Sequence, residues 1–591
     1  MSLGSLLNVS KLGIFASQGA LQTISHNISN ANTTGYTRQS VELESMPGNS
    51  ANYGGNGVRI AEVRQQVDAL VDRRLQLGTG ELGRLETRDK YTKLIEDVFN
   101  DMDGNGLSQG LEGFFDAADT LSDNPANAVA RYQLVAKADA VSKDFNKMSE
   151  ALGESALPLD REISVVLDDI NTRLKAIQEI NNTIVRNEAS NPALDLKDQR
   201  ARMLLELGEI IDIRTIPMDN GEVQVMSSRG QELLADATYS AKFGRLTNVK
   251  TATGFDAIGI GGREIGQDKI QSGKLGGLLE LRDQVVHGDT GMLSKLEKLA
   301  DEVRWQFNRV HSQSVGKNMV SSMTGLTTLG SNLDTALSAL VTDNKATGYQ
   351  GAPVDAGRVV AGRLVFATGT DGALTPSQPV TITTDMTLNQ VKNAIDALDG
   401  VKAEITSSNQ LKIAAENSGA KLGVVVDESG ILAALGIGAL LSGKGAGDME
   451  VNATYLNDPD LVGVGRLNIK ATDAQGVPTA VTHDDANSQG ALALGNLRSA
   501  KVALFGNVSS LTGHYATMVG ELGSIINQDI ESLTAQQAAQ TFLSNTRESL
   551  SGVSLEEELT DLIRFQRAFQ ASSKMVSVAD DLMQTIVQMV G

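Results

Sequence analysis

The chain of 591 residues is defined first by what it lacks. It contains no cysteine, which excludes disulfide bonds, thiolate metal sites and cysteine catalysis. Aromatic residues make up only 4%, with Trp305 the single tryptophan, so stacking platforms for bases or sugars are not expected. Basic residues are too few to balance the acidic ones, and the net charge of −21 argues against nucleic acids and anionic membranes as partners. The longest apolar run, GILAALGIGALLSG at 430–443, is shorter than the roughly 20 residues that span a bilayer.

Recognisable catalytic patterns are also missing. The five histidines are scattered along the chain, and none belongs to an H-E-x-x-H zinc motif. The stretch GALLSGKG at 438–445 has the glycine spacing of a phosphate-binding loop, but Gly445 stands where Ser or Thr must hold Mg²⁺. We therefore expect neither enzymatic activity nor a bound cofactor.

Two motifs overlap in DMDGNGLSQGLE, residues 101–112. The G-x-S-x-G pattern of a hydrolase would use Ser108, but that motif needs a preceding strand and YTKLIEDVFNDM has a helical pattern. A calcium-binding EF-hand loop stays open as an alternative because helical patterns flank the stretch on both sides, although no second such loop accompanies it. The residues that fit the calcium pattern are Asp101, Asp103, Asn105, Gly106 and Glu112.

The N-terminal segment has a helical pattern with almost no charge. Residues 2–35 carry one formal charge, Lys11, and contain Gly13 and Gly19, each of which costs a helix about 1 kcal/mol. Alternating spacings of four and three residues predict one contact face. Its members are Leu3, Leu7, Ser10, Ile14, Ser17, Leu21, Ile24, Ile28 and Ala31.

The C-terminal segment predicts a second long helix, started by a capping box of Ser554 and Glu557. The pattern assigns Ser572 to the face opposite the predicted contact face. That contact face comprises Leu555, Leu559, Leu562, Gln566, Phe569, Ser573, Val576, Asp580, Met583, Val587 and Val590.

Two interpretations of these ends remain open. The helices form either an ordinary antiparallel pair that closes a domain, or segments that fold only when buried among copies of the chain. The uncharged N-terminal surface favours the second interpretation, since a solvated helix normally carries charge. On that interpretation, both ends are unprotected in an isolated monomer.

The middle of the chain predicts an α+β multidomain protein. Residues 61–212 are mainly helical, with a helix after Pro158 that places Ile163, Leu167, Ile170, Leu174, Ile177 and Ile184 on one stripe. The dipeptide Asn220-Gly221 predicts a β-hairpin within a β-module near 213–285. The predicted domains are a terminal coiled-coil region (1–60 plus 548–591), a mainly helical body (61–320 plus 491–547) and an inserted β-rich outer domain (321–490).

The two ends resemble those of bacterial flagellar axial proteins, the rod, hook and hook-associated proteins. The stretch QGALQTISHNISNANTTGYTRQSVELES carries an N-I-x-N-x-N-T-x-G-Y-x-R core, and SLEEELTDLIRFQRAFQASSKMVSVADDLMQTI is similar to the matching C-terminal region. The residues that fit the N-terminal core are Asn27, Ile28, Asn30, Asn32, Gly35, Tyr36 and Arg38.

Internal stretches narrow the resemblance to the hook-associated proteins. They are GLSQGLEGFFDAADTLSDNPANAVARYQLVAKADAV, LKDQRARMLLELGEIIDI and IQSGKLGGLLELRDQVV. In addition, TLNQVKNAIDALDGVKAEITSSNQLKIAA is similar to the hook-IN motif found in flagellin and hook-associated proteins.

The resemblance implies a non-enzymatic structural adapter at the hook–filament junction, outside the cell. The protein would be exported by the flagellar type III apparatus without a cleaved signal peptide, which suits an N-terminus that lacks a basic region followed by an apolar core. Implied partners are hook protein, hook-associated protein 3, further copies of the chain and an export chaperone on the C-terminal helix. The expected assembly interface comprises Leu3, Leu7, Ile14, Leu21, Ile24, Asn27, Ile28, Asn30, Asn32, Gly35, Tyr36, Arg38, Leu559, Leu562, Phe569, Val576, Met583 and Val587.

Three alternatives remain. The chain could be another axial protein such as the hook subunit, although GKLGGLLELRD and NPANAVARYQ argue against that. It could be a calcium-dependent surface-binding protein, which requires measurable calcium affinity. It could be a secreted enzyme, which requires catalytic groups clustered around Ser108 or around a pair of carboxylates.

Overall fold

The computed structural model describes residues 3–47, 56–99, 106–188, 193–227, 232–266, 269–328, 333–339, 358–370 and 372–590. The α-helices are α1 (Leu3–Asn30), α2 (Ala69–Glu96), α3 (Leu107–Asp123), α4 (Ala128–Glu188), α5 (Leu194–Ile210), α6 (Gly273–Glu280), α7 (Met292–His311), α8 (Leu388–Asp396), α9 (Ile431–Ala434), α10 (Ala453–Asn457), α11 (Gln489–Asn496), α12 (Leu511–Ser551) and α13 (Leu555–Val590). Short 3₁₀ segments lie at Asp97–Phe99, Leu337–Ala339, Ala446–Asp448 and Pro459–Leu461, and a π-helical turn lies at Leu281–Val286.

The strands are short and all pair antiparallel in the described part of the chain. They are β1 (Gln39–Ser45), β2 (Val58–Gln65), β3 (Ile213–Pro217), β4 (Val223–Ser227), β5 (Leu233–Ala235), β6 (Phe243–Lys250), β7 (Asp256–Ile260), β8 (Arg263–Glu264), β9 (Ser322–Thr324), β10 (Gly362–Thr370), β11 (Ala373–Pro376), β12 (Val380–Ile382), β13 (Val401–Ile405), β14 (Leu411–Ala415), β15 (Lys421–Asp427), β16 (Leu441–Ser442), β17 (Glu450–Val451), β18 (Asn468–Thr472), β19 (Pro478–Thr482), β20 (Val502–Leu504) and β21 (Asn507–Ser509).

The chain divides into two compact units, which confirms a multidomain α+β protein. The first unit comprises Met1–Tyr91, Pro158–Arg282 and Asn527–Gly591, and the second comprises Thr92–Leu157 and Asp283–Ile526. Among the described helices, none is long and apolar enough to cross a membrane.

Helix α4 carries the stripe that the sequence predicts. Its six apolar residues between Ile163 and Ile184 are each at most 2% exposed, and burying each such side chain stabilises a fold by about 2 kcal/mol. The predicted start of the helix is wrong, because Pro158 lies inside α4. A proline in a helix removes one backbone donor, and the helix continues because Leu152, Ala156 and Leu159 around it are all buried.

The predicted hairpin at Asn220-Gly221 is present and belongs to the first unit. Strand β3 pairs with β4 from Ile213 opposite Ser227 to Pro217 opposite Val223, and Gly221 has the positive φ of +86° that favours glycine. The buried Asn181 of α4 binds the hairpin through both the N–H and the C=O of Val223, at 3.2 and 2.8 Å. Arg200 of α5 donates to Asn181 and to the Gly221 carbonyl, each at 2.8 Å, and burial lowers the pKa of Arg200 to about 10.

The second unit holds most of the β-structure. Its largest sheet has the strand order β12-β10-β11-β19-β18, with β15 on the other edge of β10, and a smaller sheet has the order β13-β14-β9. A shared apolar core contains the buried Trp305 and Phe366. The sequence signals at RLVFATG, PVTIT and LKIAA correspond to β10, β12 and β14, and TLNQVKNAIDAL forms α8 with a capping box of Thr387 and Gln390.

A β-hairpin interrupts the region 491–547, which the sequence pattern predicts to be helical. Strands β20 and β21 form a hairpin between α11 and α12, and its turn uses Phe505 and Gly506, both with positive φ. Phenylalanine is not a usual residue for that conformation, which explains why the hairpin could not be recognised from turn residues.

His311, at the end of α7, is buried as a neutral imidazole in the second unit. Its Nδ1 lies 2.7 Å from the Gly438 carbonyl, and its Nε2 lies 2.9 Å from the Gly463 N–H, which donates to it. This arrangement requires the proton on Nδ1 and leaves no lone pair for a second one. Burial lowers the pKa of His311 to about 4.

This geometry predicts an acid-sensitive second unit. Below a pH of about 6.5, His311 binds a proton in the unfolded chain but stays neutral in the folded chain. The free energy of unfolding therefore decreases as the pH falls from about 6.5 to about 4. The loss attributable to His311 is up to about 3 kcal/mol, since each unit of pKa difference corresponds to about 1.4 kcal/mol. Urea unfolding at pH 7.5, 6, 5 and 4 should give a shallower pH dependence for His311→Gln than for the unchanged protein. Equal pH dependence in the two proteins would contradict the assignment.

Candidate assembly site at the chain termini

The two terminal helices pack against each other in an antiparallel pair within the first unit. Asn27 of α1 contacts Glu558 of α13, with Nδ2 of the amide 3.1 Å from Oε2 of the carboxylate. A second contact lies fourteen residues before Asn27 on α1 and fourteen residues after Glu558 on α13. There, a Cβ at Gly13 would lie only 2.8 Å from Oγ of Ser572. The constant offset shows that the helices stay in one register over this whole length.

The contact face of α1 is made mostly of small side chains. Such residues allow two helix axes to approach closely. Gly13 lies on this face, and the buried residues are Ser10, Ala16, Ser17, Ala20, Ile24 and Asn27. The predicted face shares Ser10, Ser17 and Ile24 with the buried set, whereas its larger residues Leu7, Ile14 and Leu21 are half-buried.

The contact face of α13 also differs in part from the predicted one. Its buried and half-buried residues lie on one face of the helix: Glu558, Asp561, Leu562, Phe565, Phe569, Ser572, Ser573, Val576 and Ala579. Ser572 therefore faces α1, and its predicted place on the opposite face is wrong.

The residues predicted for an assembly interface are distributed as follows. Ile24, Asn27 and Tyr36 are buried, Asn32 is exposed, and Leu559, Met583 and Val587 are 50, 41 and 71% exposed. Half-buried are Leu3, Leu7, Ile14, Leu21, Ile28, Asn30, Gly35, Arg38, Leu562, Phe569 and Val576. Their role in contacts between copies stays a prediction.

A buried polar cluster, formed by Asn27, Tyr36, Arg38 and Glu558, joins the end of α1 to the start of α13. The Asn27 amide donates to the Gln39 carbonyl at 2.8 Å and accepts from the Gln39 N–H at 3.0 Å, which fixes the beginning of β1. The Tyr36 hydroxyl donates to Oδ1 of the same amide at 2.8 Å. Every polar atom of the Asn27 side chain is thus engaged, as a residue only 1% exposed requires.

Arg38 and Glu558 supply the charges of this polar cluster. Nε of Arg38 donates to Oε1 of Glu558 at 2.7 Å, and Nη1 donates to the more exposed Glu557 at 2.6 Å. Burial alone would lower the pKa of Arg38, but the Glu558 and Glu557 carboxylates raise it, so the guanidinium stays charged. Glu558 is 1% exposed and gives one oxygen to Arg38 and the other to Asn27, so neither charge is left buried without a partner.

Tyr36 is held between α1 and neighbouring carboxylates. Its hydroxyl lies 2.9 Å from Nδ1 of His26 as well as bonding to Asn27. Burial raises the pKa of Tyr36 far above its ordinary value, and the nearby Asp195, Asp198 and Glu558 raise it further. The phenol therefore remains a hydrogen-bond donor and does not ionise in the physiological range.

The turn after α1 explains the glycine and amides of the signature. Asn30 donates to the His26 carbonyl at 3.0 Å, which satisfies a backbone acceptor at the end of the helix. Gly35 has a φ of +76°, and a Cβ there would lie 2.8 Å from the Arg202 side chain. The positive φ therefore favours glycine at this position, and a Cβ there would also force the Arg202 side chain to move.

Further contacts attach the same turn to other helices of the first unit. The Thr37 N–H donates to the buried Asp198 of α5 at 3.1 Å, and the Arg38 N–H donates to the Ser551 carbonyl at the end of α12 at 2.8 Å. Burial raises the pKa of Asp198, and its other oxygen accepts from Gln65 of β2 at 2.9 Å. Five elements (α1, β1, β2, α5 and α13) and the end of α12 thus meet around residues 36–38.

Sequence reasoning did not find Glu558, Asp195 or Asp198. A glutamate on an amphipathic helix is normally solvated, and its buried partners lie more than 500 residues away in the sequence. The available signal was that Arg38 belongs to an otherwise uncharged signature and therefore needs an acidic partner.

Of the residues that fit the calcium pattern, Asp101, Asp103 and Asn105 lie outside the described residues. Glu112 is on α3 and pairs with Nε of Arg498 at 3.1 Å in the second unit. Within the described ranges, no group of three or more acidic or histidine side chains could hold a metal ion. Ser108 lies in the first turn of α3, and the described residues before it form α2 and a 3₁₀ turn, which is not the strand that a nucleophile elbow needs.

Comparison with known protein families gives matches in three parts of the chain. Residues 92–325 match the helical domain of flagellar hook-associated protein FlgK. Residues 8–37 match the flagella basal body rod protein family, and residues 547–589 match the C-terminal region of the flagellar basal body rod FlgEFG proteins. The last two matches include Asn27, Tyr36 and Glu558 of the polar cluster.

Individual proteins match over almost the whole length. Flagellar hook-associated protein 1 of Salmonella typhimurium strain LT2 is 25% identical, over 99% of this chain and 100% of its own. The protein of the same name from Escherichia coli K12 is 24% identical over the same shares. The solved structure of the flagellar hook junction protein FlgK from Burkholderia pseudomallei matches with a TM-score of 0.53 at 14% identity, covering 81% of this chain and 100% of that one, which shows a shared fold. The resemblance stated from the sequence is confirmed.

The polar cluster predicts a specific sensitivity at Glu558. Replacing it by glutamine removes the charge that pairs with Arg38, and we expect a loss of about 1.5–3 kcal/mol, the usual contribution of hydrogen bonds to charged groups. Hydrogen exchange should show faster exchange of amides at 20–30 and 556–566 in Glu558→Gln than in the unchanged protein. Glu556→Gln, at an exposed neighbouring position, is the matched control and should have no effect. Identical exchange in both variants would contradict the assigned role.

A second prediction concerns calcium. If residues 101–112 only precede and begin α3, the double variant Asp101→Ala, Glu112→Ala loses the partly exposed pair with Arg498, which contributes at most about 1 kcal/mol. Its melting temperature should not depend on calcium, and neither should that of the unchanged protein. A functional site would instead stabilise the unchanged protein by about 2.7 kcal/mol at a hundredfold excess of calcium over Kd. A calcium-dependent rise that the double substitution abolishes would revive the calcium hypothesis.

Proposed function

We propose that this chain, a relative of flagellar hook-associated protein 1, is a structural subunit of the bacterial flagellum that joins the hook to the filament. The observation that carries the proposal is the match to hook-associated protein 1 over 99% of the chain, which includes the middle of the chain as well as its ends. The ends alone match rod and hook proteins in general, so the middle distinguishes an adapter from a hook subunit.

The polar cluster gives this function a physical basis. An adapter must present a fixed surface to a different protein on each side, and its two ends must therefore hold one geometry. The buried Asn27 and Glu558, together with the half-buried Arg38, permit one register between α1 and α13, because any shift leaves the buried carboxylate and amide without partners. Buried polar groups of this kind are known to specify register in paired helices.

The arrangement of domains in the flagellum is part of the proposal. The terminal region (1–60 plus 548–591) forms a coiled-coil layer around the inner tube, the mainly helical body (61–320 plus 491–547) lies outside it, and the β-rich insertion (321–490) is outermost. Support comes from the exposed apolar residues of α13, which include Leu559, Met583 and Val587 and which need a covering surface in water.

The proposed partners follow from the position of the subunit in the flagellum. They are hook protein on one side, hook-associated protein 3 on the other, and copies of the chain laterally. Before export, a chaperone covers α13, since an amphipathic helix fits an apolar groove. The subunit leaves the cell through the flagellar type III apparatus and functions outside it, without catalysis and without a cofactor.

The test is a deletion strain examined by electron microscopy. We expect normal hooks without filaments, unassembled flagellin in the medium and no swimming, all restored by a plasmid copy of the gene. Absence of hooks as well as filaments would instead indicate a hook or rod protein. Normal filaments on the deletion strain would contradict the proposed function.

A further inference from the structure

The second unit contains a cavity of about 370 Å³. Ligand sites in proteins usually have volumes of about 300–1,000 Å³, so this cavity has room for a small molecule or for a few residues of a peptide. Its walls are formed by the segment that follows α7, by strands β9 and β15, and by residues in and around α10.

The cavity lies at the edges of β9 and β15 and not on one face of either strand. Consecutive side chains of a strand point to opposite faces, yet residues 322–324 of β9 all line the cavity, and so do residues 422–424 of β15. Strand β14 covers the other edge of β9, and β10 covers the other edge of β15. The two strands come together at one end of the cavity, where the Leu422 N–H donates to the Val320 carbonyl at 2.7 Å.

The open edge of β9 presents main-chain groups that can pair with a ligand. The Gly325 N–H donates to the Leu411 carbonyl at 2.8 Å, so residue 325 is bonded toward β14. In an antiparallel pair, residues bonded to the neighbouring strand alternate with residues directed away from it. Ser322 and Thr324 lie an odd number of positions from Gly325, so their N–H and C=O groups point away from β14. Among the described strands, β9 is the last one in its sheet on that side.

Two buried hydroxyl groups in the lining also have no hydrogen-bond partner among the described residues. Ser312 is 2% exposed, and its Oγ makes no hydrogen bond. Tyr455 is 9% exposed, and its ring packs edge-on against His311 with the ring centroids 4.7 Å apart. Burial raises the pKa of Tyr455, so its phenol stays a hydrogen-bond donor. Buried polar groups are normally paired, and these two therefore indicate a ligand that supplies the partner.

The chemistry of the lining selects the class of ligand. None of the described residues around the cavity carries a charge, and a charged ligand would lose its hydration there without gaining an ionic partner. Met319 and Met323 provide apolar surface that adapts to the shape of a side chain. The N–H and C=O groups of β9 match an amide, which offers one acceptor and one donor in the same way.

We propose that this cavity binds an uncharged peptide segment in an extended conformation. The segment adds a strand to the open edge of β9, with its main chain paired to Ser322 and Thr324. Three residues of β9 correspond to about 10 Å of extended chain, at about 3.3 Å per residue, so about three residues of the segment form the contact. One apolar side chain of the segment contacts Met319 and Met323, and the Tyr455 hydroxyl donates to a main-chain carbonyl. The site goes beyond the junction role, because no residue of α1 or α13 belongs to it.

Methyl NMR on the full chain tests the proposal directly. The methionine methyl groups are labelled with ¹³C, and the signals of Met319 and Met323 are assigned with Met319→Leu and Met323→Leu. The probe is the tripeptide Ala-Leu-Ala with an acetyl group on its N-terminus and an amide on its C-terminus, so it carries no charge. We expect both signals to shift until the site is saturated. The same tripeptide with free, charged ends is the matched control and should bind at least tenfold more weakly.

Thr324→Pro tests the pairing with β9. Because the Thr324 N–H points away from β14, proline removes a group at the cavity without removing a hydrogen bond of the sheet. We expect the affinity for the uncharged probe to fall about fivefold or more, as for the loss of one hydrogen bond, at an unchanged melting temperature. Thr324→Ala keeps the N–H and should bind the probe normally.

Tyr455→Phe gives a second readout, which also serves if Thr324→Pro does not fold. It keeps the ring against His311 and removes a hydroxyl that has no partner among the described residues, so it should lower the affinity without lowering the melting temperature. Absence of shifts at both methionines, up to the solubility limit of the uncharged probe, would overturn the proposal. Equal affinity for the charged tripeptide would also overturn it, as would normal affinity in both Thr324→Pro and Tyr455→Phe.

Discussion

The carboxylate of Glu558 is the interaction on which the terminal structure depends. One of its oxygens binds the guanidinium of Arg38 and the other binds the amide of Asn27, and the residue is 1% exposed. A buried charge is costly unless its partners are in place, so this contact permits one alignment of α1 with α13. The same amide accepts a hydrogen bond from the Gln39 N–H and so fixes the start of β1. The Arg38 N–H donates to the Ser551 carbonyl and so attaches the end of α12.

The remaining features of the ends are consistent with this constraint. The small residues Gly13, Ser17 and Ala20 of α1 allow a close approach but bury little apolar surface, so they contribute little energy of their own. The polar cluster therefore supplies specificity, while much of the apolar surface of α13 stays exposed. A protein whose function lies in contacts between subunits needs apolar side chains that stay exposed, because side chains that fill its own core cannot contact a neighbour. The proposed junction role is consistent with one property of the chain: α1 and α13 are held in one register, but part of the apolar surface of α13 stays exposed.

Sequence patterns predicted those elements whose signals are local. The stripe of α4, the hairpin at Asn220-Gly221 and the cap of α8 at Thr387 depend on residues a few positions apart, and each is present. The predicted contact face of α13 agrees with the structure at Leu562, Phe569, Ser573 and Val576 but includes the exposed Leu559, because leucine is more apolar than Glu558 and a pattern of hydrophobicity selects it. Glu558 is the buried one because of Arg38 and Asn27, more than 500 positions away. Pro158 inside α4 and Phe505 in a turn are likewise cases in which tertiary contacts override local preference.

The central claim is that the Arg38–Glu558 contact holds the two ends in the geometry that the junction requires. The most direct measurement is a charge exchange in the deletion strain, with the fraction of hooks that bear filaments counted by electron microscopy. Arg38→Glu alone and Glu558→Arg alone should each remove most filaments, since each leaves like charges together in a buried place. The double variant restores the opposite charges and should recover a substantial part of the filaments. Filaments at the normal frequency on Arg38→Glu hooks, or a double variant no better than either single one, would contradict the account.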